Sequence, residues 1–166
     1  MRDKPIMIRL IRQIPDYLIE EFLQSCVPRP TQSFYRKDIK KSSVNVGAFD
    51  GENIIGFTCG GNSGYDPGII MHGIYVKPEY QMTGKGNTAG VGQRLLTKLI
   101  MEAGKQGLNL IGSDLNNRSY RMISKIVARI GAKKAENRPF EIGLGKVSMT
   151  SLMAAANIRK PARKPK

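Results

Sequence analysis

The spacing of apolar residues along this chain changes repeatedly between the strand period and the helix period, and each change marks an element. Ile6 to Ile11, with Arg9 interspersed, predicts a first strand. Pro15 and Asp16 then open a helix, since proline suits the first turn and an early acid suits the helix dipole. Leu18, Ile19, Phe22 and Leu23 share one face of it, and Pro28 and Pro30 end it. A second, more charged helix with a poor apolar face is expected from Thr31 to Lys41.

Val44 to Phe49 alternates as a strand, Asp50-Gly51 is a strong hairpin signal, and Asn53 to Cys59 returns as the partner. Gly60 to Gly64 is expected to be a loop, and Ile69 to Val76 the next strand. Leu95, Leu96, Leu99 and Ile100 recur at helical spacing. Leu108 to Leu115 predicts a strand, and Asn116-Asn117 starts a helix that Gly131 ends just after Ile130. Short strands are expected at Lys133 to Glu136 and at Phe140 to Leu144. The order is strand, two helices, three strands, helix, strand, helix, two strands. Mixed connectivity of this kind predicts an α+β domain with a partly parallel sheet.

The densest chemistry lies between the strand ending at Val76 and the leucine-rich helix. Gly84, Gly86, Gly90 and Gly92 fall within nine residues there. A glycine-rich turn before a helix forms an anion site, because the first amides of the helix have no intrahelical partner and no Cβ keeps a phosphate away. Val76, Pro78 and Tyr80, followed by Gln81-x-x-Gly84-x-Gly86 or Asn87-x-x-Gly90-x-Gly92 and then leucines, resemble the acyl-CoA loop of the GNAT N-acetyltransferase superfamily. The two glycine registers differ by six residues, so the loop carries an enlargement. The second register is favoured, because the helix must begin at the phosphate for its amides to donate. Leu115-Asn116-Asn117-Arg118-Ser119, leading to Ile130-Gly131-Ala132, resembles the superfamily's second signature with one extra helical turn.

The resemblance covers about residues 6 to 145. It implies a GNAT-like acyl-CoA N-acyltransferase fold of the α+β class, with a mixed, mostly antiparallel sheet splayed at its centre and helices on both faces. It implies transfer of an acetyl group from acetyl-CoA to an amine. Ile74, Tyr75, Val76, Asn87, Thr88, Ala89, Gly90, Val91, Gly92, Asn116 and Ser119 are the implied acetyl-CoA contacts. The family's general base often comes from the strand before the loop, where His72 lies with a suitable unperturbed pKa. The family's proton-donating tyrosine has Ile123 or Val127 at its counted position, which leaves Tyr120 as the substitute. A second reading, from another functional class, is a GNAT-folded assembly or nucleic-acid-associated component without catalytic activity.

Composition narrows the remaining choices. A chain of 166 residues suits one domain that buries about 70% of its unfolded surface, so a disulfide framework is not required. Cys26 and Cys59 read as small buried apolar residues, and one histidine with two cysteines argues against a structural zinc site. No apolar run approaches a membrane span, and Arg9 and Arg12 interrupt the first one, which argues against a secretory signal and for a cytoplasmic setting. The net charge of +14 favours encounters with polyanions. A GNAT-like domain is expected over residues 1–145 and a basic tail over 146–166. Lys146, Arg159, Lys160, Arg163, Lys164 and Lys166 meet no acid in that tail, a pattern suited to nucleic acid or acidic protein.

Overall fold

The computed structural model describes residues 5–62, 68–81 and 90–106, together with the backbone of 109–112, 133–135 and 138–143. The expected helix after Asn116 and the basic tail lie outside these residues. The elements are β1 (Met7–Leu10), α1 (Asp16–Cys26), α2 (Gln32–Lys40), β2 (Val44–Asp50), β3 (Asn53–Asn62), β4 (Gly68–Val76), α3 (Val91–Lys105), β5 (Asn109–Gly112), β6 (Lys133–Ala135) and β7 (Arg138–Gly143). The strands form one sheet in the order β1-β2-β3-β4-β5-β7-β6. Only β4 and β5 run parallel; the other neighbours are antiparallel. Among the described residues no helix is long and apolar enough to cross a membrane.

The sheet separates two cores. On one face α3 sets Leu95, Leu96, Leu99 and Ile100 against Val44, Val46, Ile69, Met71 and Val76. On the other, α1 sets Leu18, Ile19, Phe22 and Leu23 against Phe57, Cys59 and Tyr75. The apolar faces read from the sequence are therefore the buried ones. The weaker helix also forms, with Ile39 as its buried residue. Polar contacts hold α2 to α1: Arg36 bonds both carboxylate oxygens of Glu20 at 2.7 and 2.9 Å, and Gln32 Nε2 donates to the Leu23 and Val27 carbonyls that end α1. The cysteine expectation holds at Cys59 and fails at Cys26, which is exposed because Val27 takes the buried position where α1 ends.

The hairpin expected at Asp50-Gly51 joins β2 to β3, with Gly51 at φ 60°. The loop expected from Gly60 is a correction. Gly60 and Gly61 continue β3 as far as Asn62 and are buried. A Cβ on Gly60 would lie 2.6 Å from Ile69 Cγ2 and 2.7 Å from the Ile70 carbonyl oxygen. Glycine is present there for close strand approach, not for a turn. The approach is local because the β3–β4 register shifts: Cys59 pairs with Gly73 and Gly60 with Met71, leaving His72 as an extra residue in β4.

Gly60→Ala therefore tests the strand assignment. The substitution should lower unfolding free energy by about 1–3 kcal/mol through overpacking, read as a shifted urea midpoint at constant slope. A loop glycine at this position would give no shift.

Candidate active site

The bulge places His72 where the sheet changes character. The parallel β4–β5 pairing runs from Gly68↔Asn109 to Met71↔Gly112, and His72 is the next residue of β4. From His72 to Val76, β4 has no strand on its β5 side among the described residues. Bulges interrupt a ladder and re-aim a side chain, and this one does both. Within β4, the Gly73 carbonyl accepts a 2.9 Å bond from the buried hydroxyl of Thr58.

The imidazole is half-buried between the end of α2 and the glycine floor of β3. Its Nδ1 lies 2.8 Å from Ser42 Oγ, just beyond α2. A Cβ on Gly61 would come within 3.0 Å of its Cε1, so glycine leaves room for the ring. Burial holds the His72 pKa below its ordinary value, while the Asp38 carboxylate and backbone carbonyl push it back up. Ser42 is itself fixed: its hydroxyl bonds to the Asp38 carbonyl at 3.1 Å, and its own carbonyl accepts from Asn45 Nδ2 at 3.4 Å. Cys59, on the neighbouring strand, is fully buried, and its thiol is pushed up to about 12 by desolvation, so it is no thiolate nucleophile.

The second half of the site is the start of α3. Gly90 is the N-cap, at φ −59° and ψ 157°, a conformation open to any residue. Among the described residues, a Cβ there would meet nothing within 4 Å. Arg94 N is the first amide bonded back into the helix, to the Gly90 carbonyl at 3.1 Å, so those of Val91, Gly92 and Gln93 precede the ladder. Among the described residues no side chain caps them, and no acid lies in the first turn. Gln93 Nε2 is a buried donor without an acceptor among the described residues. Arg94 anchors the helix start across the sheet by donating to the Ile6 carbonyl at 2.8 Å.

A profile of the Acetyltransferase (GNAT) family matches residues 11–126. The chain belongs to this family. Three solved structures share the GNAT fold with it. One is a GNAT family acetyltransferase of Streptococcus pneumoniae, with TM-score 0.56 and 15% identity over 74% of this chain and 86% of that one. An acetyltransferase of Bacillus subtilis, solved with CoA, gives 0.55 at 14% over 83% and 95%. A GNAT family acetyltransferase of Elizabethkingia anophelis, solved with acetyl-CoA, gives 0.52 at 19% over 79% and 78%. No curated protein matches the chain.

The remaining GNAT-implied contacts divide sharply. Ile74 packs partly buried against the α3-side core, where Val76 is also buried. The Val76 carbonyl accepts from Gln81 Nε2 at 2.7 Å. The Tyr75 ring belongs to the α1-side core with Phe22 and Phe57. Asn87, Thr88, Ala89, Asn116, Ser119 and Tyr120 lie outside the described residues. Ser42 and Asp38 went unnoticed in the sequence: a serine after a charged helix carries no local signal, and the β4 bulge brings it to His72.

His72 is the chain's one histidine, so its burial is measurable through linkage. Its folded pKa lies below the unfolded one, so its contribution to stability is complete above the unfolded value and is lost as pH falls through the folded one. Urea unfolding of the unmodified protein should weaken from pH 7.5 to 5 more steeply than that of His72→Gln. Equal slopes would mean that the ring is solvated in the fold.

Proposed function

We propose that this GNAT protein transfers the acetyl group of acetyl-CoA to an amine, with His72 accepting the amine's proton. The observation that carries the reading is the convergence at His72 of the β4 bulge, the last described β4–β5 pair beside it and a half-buried imidazole whose pKa burial lowers. Acetyl-CoA supplies an activated thioester as acyl donor. The α3 terminus suits its pyrophosphate: among the described residues, amides without a side-chain cap, a buried donor without an acceptor at Gln93 and no atom near a Cβ on Gly90 all favour an anion. Relatives solved with acetyl-CoA and with CoA support the choice of donor.

In this reading the helix start favours the second glycine register, with Gly90, Val91 and Gly92 on the phosphates and Asn87 to Ala89 leading in. From Ile74 to Val76, where no strand pairs with β4 on its β5 side among the described residues, main-chain groups are assigned to an amide-containing arm. By the family resemblance Asn116 and Ser119 are assigned to binding acetyl-CoA, and Tyr120 to returning a proton to the departing sulfur. His72 removes the proton that the amine nitrogen must shed as it acquires the acetyl group. Burial supports this role, since it lowers the pKa of the ring and so favours the unprotonated form that can accept a proton.

Binding and folding separate cleanly at Gly90. Saturating acetyl-CoA at a hundred times Kd should stabilise the protein by about 2.7 kcal/mol, or about 5–10 °C in Tm. Gly90→Asp should leave the free protein at least as stable, because an N-cap carboxylate accepts from the helix amides, yet abolish the ligand shift by occupying and charging the phosphate position. No shift in the unmodified protein at millimolar acetyl-CoA would sink the reading.

The proton acceptor is tested by turnover. His72→Ala should lower kcat by about 100-fold with little change in acetyl-CoA affinity. In the unmodified enzyme kcat/KM should fall on acidification only below the ordinary histidine pKa, because burial moves that limb down. An unchanged kcat would remove His72 from the chemistry.

A further inference from the structure

The Asp38 carbonyl, the His72 imidazole and the Cys59 thiol meet at the Ser42 hydroxyl, and their donor and acceptor capacities favour one arrangement. The Asp38 carbonyl can only accept, and Ser42 Oγ lies 3.1 Å from it, which commits the single hydroxyl proton to that bond. Ser42 Oγ is then an acceptor toward His72 Nδ1 at 2.8 Å. The Cys59 thiol also reaches Ser42, a contact that opposes the rise of its pKa by burial. The Gly73 amide donates in turn to the Cys59 sulfur. The Asp38 carbonyl lies against the imidazole as well, so a second pure acceptor faces the ring. Ser42 is held for this task by its amide, which donates to the Ile39 carbonyl at 3.1 Å, and by Asn45 on its carbonyl.

We infer that Ser42 is a positioning residue that fixes His72 as the Nδ1–H tautomer and leaves Nε2 as the nitrogen with the free lone pair. The Nδ1–H form is the less common one for a free histidine side chain and needs an acceptor to hold it. Ser42 Oγ is that acceptor, and the orientation of the ring follows from it. The catalytic consequence rests on His72 being the proton acceptor proposed above; the tautomer itself does not.

The experiment uses the full chain labelled with 15N at histidine, where one residue gives one imidazole spectrum. Above the pH at which His72 titrates, long-range 1H–15N correlations of the unmodified protein should show Nδ1 protonated and Nε2 bare. Ser42→Ala should move the proton toward Nε2, and Ser42→Thr, which keeps the hydroxyl, should restore the original pattern. A protonated Nε2 in the unmodified protein overturns the inference without recourse to any variant, as does a tautomer indifferent to Ser42→Ala. In turnover, Ser42→Ala should lower kcat by about ten-fold at unchanged KM for acetyl-CoA, less than the loss from His72→Ala, with Ser42→Thr recovering it. A tautomer that shifts while kcat stays constant upholds the role of Ser42 and removes His72 as the proton acceptor.

Discussion

One extra residue in β4 sets the phase of both cores. Side chains alternate along a strand, so a single inserted residue exchanges the two faces for everything beyond it. Before the bulge, Ile69 and Met71 face α3; after it, Ile74 and Val76 do, and Tyr75 turns to Phe22 and Phe57 on the opposite side. Strict alternation from Ile69 would have put Gly73 and Tyr75 against α3 and driven Ile74 out of its core. The same residue follows the last β4–β5 pair among the described residues and carries the chain's one imidazole. Packing and candidate chemistry therefore share one backbone irregularity, and neither can be changed without the other.

The glycines of β3 make that irregularity possible. Gly60 brings its backbone against the Ile69 and Ile70 region, and Gly61 makes room for the ring of His72. Across the imidazole, α2 contributes the Asp38 carbonyl and Ser42. This helix buries little apolar surface and depends on Arg36–Glu20, Lys40–Asp16 and the Gln32 cap for its attachment to α1. Exposed ion pairs contribute little individually, so one wall of the site rests on the least strongly held element of the α1 face.

Much of this fold was legible because its signals are local. Helix faces such as Leu95-Leu96-Leu99-Ile100 and the Asp50-Gly51 hairpin follow from spacing and turn chemistry alone, and the superfamily motifs pointed to His72 and to the start of α3. The failures were non-local. Two glycines in a row look like a loop when their reason lies in the strand opposite, nine and more residues away. The bulge exists only as a mismatch between two strands, so no pattern in either one displays it. Ser42 stands thirty residues from its partner and looks like any serine after a helix. Cys26 was misread because the helix ends one residue before the next buried position.

The bond from Arg94 to the Ile6 carbonyl spans 88 residues of sequence. It ties the helix that begins at the glycine turn to the segment leading into β1. During synthesis that segment leaves the ribosome before α3, and its ladder to β2 can form long before α3 exists. Its last partner arrives only when residue 94 has been made and its half-buried guanidinium, disfavoured by desolvation, finds an oxygen. The start of α3 is thereby completed late, by residues made early, and the chain is closed upon itself at the place proposed to receive acetyl-CoA.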